Sequence, residues 1–210
     1  MRTETIDGHT FCPDLLTPEG WVIDIGARGF ELPKWLAKNK PRLEYKDFNY
    51  NTYCVDIENF EKPEGNIVTV FKHAALTNKK GKTKAFMFGN GTGNFIEGIN
   101  ETPYNGPDRP CETVEVECIT LEDIYHDIGT NIDLLKIDAE GVEYLVLQDF
   151  KPIPKMLSVE THMHCHPHLH AKYWNEIFND LCKDYHCNLY IREWPQYLFN
   201  DCLFIRKDLL

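Results

Sequence analysis

Hydrophobic and polar positions along this chain change period several times, and each change marks an expected strand or helix. Trp21 to Ile25 is apolar apart from Asp24, the run expected of a strand covered on both faces. Gly26-Ala-Arg-Gly29 follows, and then FELPKWLAKN places Leu32, Trp35 and Leu36 at helical spacing. Pro33 is compatible with that helix only inside its first turn. Thr52 to Asp56 reads as a short strand ending on an acid, and Ile67 to Phe71 as a third strand. The intervening ENFEKPEGN is too short for a full crossover helix. KTKAFMF and Val114 to Ile119 alternate as half-exposed strands, and Thr120-Leu-Glu-Asp123 has the pattern of a capping box.

Asn131 to Asp138 predicts a strand, followed by a helix carrying Tyr144, Leu145 and Leu147. Lys155 to Glu160 is the next strand. Ala171 to Lys183 is helical, with Trp174, Ile177, Phe178 and Leu181 on one stripe. Strands at Asn188 to Ile191 and Cys202 to Ile205 would close an antiparallel edge. This order predicts an α/β fold with a mostly parallel central sheet, an antiparallel edge and helices on both faces. Residues 1–16 form an expected N-terminal cap segment. Residues 89–110, rich in Gly, Asn, Thr and Pro, form an expected substrate or lid loop.

Length and charge narrow the class. A chain of 210 residues with 42% hydrophobic content suits one domain with a full core. The net charge of −11 repels a phosphate backbone, so no nucleic-acid partner is expected. No apolar run approaches membrane-spanning length, so no membrane partner is expected either. The eight cysteines are scattered and form no C-x-x-C pair, which argues against a zinc ribbon and a disulfide framework. The expectation is a reduced, cytoplasmic protein, with no oligomeric state specified by the pattern.

The chemistry starts at the glycine turn. A strand, a tight turn and a helix together form a nucleotide-binding corner, with backbone N–H groups at the helix start. The turn has only Gly26 and Gly29 rather than the three glycines of a dinucleotide site. Asp24 would repel a pyrophosphate but accept bonds from an ammonium group, which favours a ligand such as S-adenosylmethionine. At the carboxyl ends of such strands, Asp24, Asp56, His73, Asp138, Glu160 and His162 would converge.

WVIDIGARG, the strand ending on Asp56, AALTNKKGK, IDLLKIDAEGVEYLVLQ and LSVETH resemble the FkbM family of S-adenosylmethionine-dependent methyltransferases. The likeness runs from about Gly20 to His162. It implies a Rossmann-like class I methyltransferase fold and O-methylation of a hydroxyl, commonly on a sugar or glycan. By the same resemblance the turn from Asp24 through Gly26, Ala27, Arg28 and Gly29 holds the methionine end of the cofactor. Asp56 takes the ribose hydroxyls, and His73, Ala74 and Ala75 lie near the adenine. The family pattern G-A-N-x-G is replaced by Gly26-Ala27-Arg28-Gly29-Phe30.

A hydroxyl acceptor needs a base or a metal, and Asp138, Glu140, Glu143, Glu160 and His162 are the candidates. The favoured route has His162 or Asp138 taking the proton directly. The other has Asp138, Glu160 and His162 holding a divalent metal. Lys136 is in phase with Asp138 and would pair with a carboxylate, while Glu140 and Glu143 also suit a solvated helix start. His162, His164, His166, His168 and His170 alternate, a pattern suited to zinc or to a polar rim, and Pro167 interrupts any continuous strand. Phe95, Tyr104, Trp174 and Trp194 are candidates to stack on a sugar, with core packing the default for Trp174. The rival functions are a metal-dependent hydrolase using the histidines and a cofactor-binding module without catalysis.

Overall fold

The computed structural model describes residues 1–39, 50–88, 94–98, 111–148, 150–162, 170–191 and 199–210. Its strands are β1 (Glu4–Ile6), β2 (His9–Phe11), β3 (Trp21–Ile25), β4 (Asn51–Asp56), β5 (Val70–His73), β6 (Ala75–Leu76) and β7 (Gly81–Phe88). They continue with β8 (Phe95–Ile96), β9 (Cys111–Ile119), β10 (Ile132–Ile137), β11 (Met156–His162), β12 (Tyr185–Ile191) and β13 (Phe199–Arg206). The α-helices are α1 (Glu31–Asn39), α2 (Leu121–Ile128), α3 (Glu143–Val146) and α4 (Asn175–Asp184), the last preceded by a π-turn at His170–Trp174.

Seven strands form the central sheet in the order β12-β13-β11-β10-β3-β4-β5. The pairings from β11 through β5 are parallel, and β13 joins β11 and β12 antiparallel, so the sheet is mixed with an antiparallel edge. Alternate residues of the inner strands feed two different cores, as a period of two requires. Ile23, Leu135, Ile137 and Leu157 pack with Ile124 of α2 and Ile177 and Leu181 of α4. Val22, Leu134 and Met156 pack on the other face with Leu32 and Leu36 of α1 and Phe11 of β2. Helix α2 begins with the expected capping box, Thr120 and Asp123 each bonding the other's backbone N–H.

One expected boundary shifts, and two features add to the expected pattern. The segment expected to pair from Ile67 does so only from Val70, because Thr52 and Thr69 exchange side-chain and backbone hydrogen bonds of 3.1 Å where the ladder would start. KTKAFMF forms the expected strand, in a second sheet of order β6-β9-β7-β8. The N-terminal segment is a hairpin, β1 with β2, turned by Asp7 and Gly8 at φ 46° and 90°. Asp-Gly between short alternating segments is a hairpin signal in itself. Of the 89–110 loop only residues 94–98 are described, and Tyr104, Trp194 and His164, His166 and His168 lie outside the described residues.

The glycine turn is tied across the sheet. Gly26 adopts φ +71°, and a Cβ there would lie 1.9 Å from the Asp138 carbonyl oxygen. Gly65 also has a positive φ, +80°, but faces open space. Gly26→Ala should therefore lower stability by roughly 2–4 kcal/mol, from a backbone clash added to left-handed strain, and Gly65→Ala by only about 1 kcal/mol. Urea unfolding of both variants checks the ordering.

Candidate functional site

The carboxyl ends of β3, β4 and β10 open onto a cavity of about 170 Å³. Its walls include Gly26, Arg28, Asp56, Glu58, Ala74, Ala75, Leu76, Phe95, Asp138 and Glu140. Asp56 is buried; one of its oxygens accepts the Glu58 N–H at 2.8 Å. Burial pushes its carboxyl up to about 7, against the pull of that hydrogen bond and of Lys136. Phe95 lies across Phe86 with ring centroids 5.0 Å apart, at the cavity wall rather than in the core. Trp174 is buried beside Tyr144 and Phe178, as the core default anticipates.

Asp24 does not line this cavity. Its side chain lies on the α1 face of β3, in register with Lys136 of β10, which in turn is in register with Ser158 of β11. Strand alternation puts Asp24 one residue out of phase with Ile25, which does line it. Lys136 Nζ lies 3.1 Å from Asp24 Oδ1 and donates to the carbonyls of Ile25 at 3.2 Å and Gly26 at 2.7 Å. Burial works against the ammonium, but Asp24, Asp138 and Asp56 outweigh it and hold Lys136 protonated. Burial pushes the Asp24 carboxyl up and Lys136 opposes the shift. A second, smaller cavity of about 20 Å³ sits here under the hairpin, lined by His9, Asp24, Lys136 and Ser158 and sharing Asp7, Gly26 and Arg28 with the first.

The rest of the turn differs from expectation in a similar way. Ala27 and Gly29 are not among the cavity walls, whereas Arg28 lines both cavities. Ala27 packs with Phe30, Cys54 and Val68. Phe30, which stands where the family pattern has its last glycine, keeps the left-handed backbone at φ 56°. That conformation disfavours a side chain by about 1–2 kcal/mol. Edge contacts with Phe60 and Phe71 at 6.0 and 5.3 Å anchor the ring. His73 is exposed, its Nε2 3.0 Å from the Ile57 carbonyl, and its neighbours Ala74 and Ala75 reach the cavity in its place.

Beyond the cavity, β10 and β11 end in a cluster. Glu143 is fully buried, not a solvated helix start. It accepts the N–H groups of Ala139 and Gly141 at 2.9 Å each and lies 3.0 Å from His162 Nδ1. His162 Nε2 then faces Asp138 Oδ1 at 3.6 Å, Glu140 Oε2 at 3.5 Å and Glu160 Oε2 at 3.9 Å. Burial opposes an imidazolium there, but Glu143, Glu140 and Asp138 raise the His162 pKa well above its ordinary value. Burial also acts to raise Asp138, and Lys136, His9 and His162 overcome it and keep the carboxyl ionised. Glu140 holds a left-handed backbone, φ 51°, at the cavity wall.

The residue that sequence reasoning missed is His9. The β1–β2 hairpin carries its buried ring to within 3.2 Å of Asp138 Oδ2 and 4.0 Å of Glu160 Oε2. Two sets of donor atoms converge here, His9 with Asp138 and Glu160, and Asp138 with Glu140 and His162. Neither is the set Asp138, Glu160 and His162 expected for a metal; the two imidazoles face opposite oxygens of Asp138, His9 at Oδ2 and His162 at Oδ1. The Asp-Gly turn was the available signal for the hairpin, but nothing local says which sheet end it covers.

The family model described as Methyltransferase FkbM domain matches residues 24–186. No curated protein and no solved structure matches the chain. No helix among the described residues is long and apolar enough to cross a membrane.

Lys136→Met should destabilise the protein by about 3–5 kcal/mol at pH 8, since it strands a buried carboxylate. Without its partner Asp24 folds best protonated, so the loss should shrink as pH falls toward 5. Denaturant titrations at the two pH values read this directly; an equal loss at both would contradict it.

Proposed function

The chain belongs to the FkbM methyltransferase family, and from that premise we propose that it methylates a hydroxyl oxygen using S-adenosylmethionine, with a sugar or glycan as acceptor. The observation that carries this reading is one cavity that runs from the buried Asp56 carboxylate to Asp138 and Glu140. The residues present suit the cofactor. Asp56 lines the cavity with a carboxylate suited to ribose hydroxyls, Gly26 brings bare backbone to the wall, and Ala74, Ala75 and Leu76 offer an apolar surface for a base. The methionine end would meet the turn at Gly26 and Arg28, while Asp24 acts from behind it, through Lys136, as a positioning group.

When bound, the cofactor supplies an electrophilic methyl group on a sulfonium. What the chain must do is hold an acceptor oxygen in line with it, exclude water and take up or displace the hydroxyl proton. Asp138, Glu140, Glu160 and His162 form the polar end where such an oxygen would sit, and Glu143 fixes the imidazole that faces them. Phe95, Asn94 and Glu58, which line the same cavity, offer the aromatic face and hydrogen-bonding groups that a sugar ring uses. This arrangement supports a Rossmann-like class I reading of the mixed sheet.

Calorimetric titration with S-adenosylhomocysteine tests the cofactor half. Ribose hydroxyls bind the ionised form of Asp56 better, and that carboxyl titrates near 7. Affinity should rise several-fold from pH 6 to pH 8, and Asp56→Asn should weaken binding and flatten the profile. A profile already flat in the wild type would count against this role. A screen of glycan acceptors tests the other half: His162→Ala should lower kcat by roughly 100-fold or more while leaving the affinity for S-adenosylhomocysteine within about twofold.

A further inference from the structure

We propose that the crest of β10 and β11 is a divalent-cation site formed by His162 Nε2, Asp138 Oδ1 and a Glu140 carboxylate oxygen. The three donor atoms lie within 4.8 Å of one another, with the imidazole nitrogen 3.6 and 3.5 Å from the two oxygens. Donors sharing one ion with bonds of about 2.1 Å stand roughly 3.0–3.5 Å apart, so small side-chain adjustments bring these three to coordination distance.

The support behind the donors suits a ligand set. Imidazoles that bind metals donate their other ring N–H to a carboxylate, which fixes the tautomer and the ring orientation. Glu143 is placed to accept from His162 Nδ1 in this way, and is itself pinned by two backbone N–H groups. His9 occupies the other oxygen of Asp138, so that residue offers the cation a single oxygen, Oδ1. Asp138 and Glu140 also line the larger cavity, which puts the cation where an acceptor oxygen would reach it. One imidazole with two carboxylates suits a first-row cation of the Mn²⁺ or Zn²⁺ type better than Ca²⁺, which prefers an all-oxygen shell. The cation's part in activating the acceptor rests on the methyltransferase reading; its binding does not.

The experiment uses the whole chain, stripped with chelator and dialysed, without cofactor. MnCl₂ is titrated while free Mn²⁺ is followed by electron paramagnetic resonance, and ZnCl₂ is titrated by calorimetry. One site per chain is expected, weakened at least tenfold in His162→Gln and in Glu140→Gln, and unchanged in His126→Ala, a surface histidine on α2. Glu140 is partly exposed, so its variant keeps the test valid should His162→Gln fail to fold. Binding of neither cation, or binding that both variants retain in full, overturns the proposal. S-adenosylhomocysteine binding by a chain that takes neither cation would sink the metal site and leave the methyltransferase reading standing. Cation binding by a chain that ignores S-adenosylhomocysteine would do the reverse.

Discussion

The site depends on one buried ion pair. Lys136 sits in the middle of the sheet with Asp24 as its counter-charge, and its remaining protons go to the carbonyls of Ile25 and Gly26. An ammonium is tolerated in such a place only when charge and hydrogen bonds together replace water. Here those replacements are the backbone of the glycine turn itself. The ammonium therefore fixes the turn's two carbonyls and leaves its N–H groups to β4, where Gly26 and Ala27 both donate to the Val55 carbonyl at 2.9 and 3.2 Å. The turn is held from both sides before any ligand arrives.

Around that anchor the chain accepts backbone strain where it meets the cavity. Asp7 and Glu140, both lining it, have left-handed backbones, as does Phe30 at the end of the turn. Each such residue costs on the order of 1–2 kcal/mol and persists only because its surroundings leave no alternative. For Phe30 the surroundings are two aromatic rings; for Glu140 they are the bonds that Glu143 makes to the N–H groups of Ala139 and Gly141 on either side. Glu143 thereby shapes the loop and orients His162 with the same carboxylate.

Two cavities meet at the crest of the sheet. The larger lies beyond the ends of β3, β4 and β10, whereas the smaller lies beneath the N-terminal hairpin. The hairpin joins them, since Asp7 touches both and His9 reaches Asp138. A segment that precedes the range matched by the family model thus contributes to the polar cluster at Asp138.

The strands and helices of the central sheet, its parallel core with an antiparallel edge, the capping box of α2 and the acids at strand ends were readable from local pattern. Each rests on spacing along the chain, through periods of two or 3.6 residues and turn chemistry. Which way a given acid points is different in kind. Asp24 looked like a ligand contact because it ends a strand beside a glycine turn, yet strand alternation and a lysine more than a hundred residues away turn it to the other face. Glu143 read either as a candidate base or as a solvated helix start, and packing against β11 buries it, while His9 carried no motif at all. Local sequence fixes periodicity and propensity; the pairing of buried charges is settled only when distant segments pack, because only then does the loss of water force each charge to find its partner.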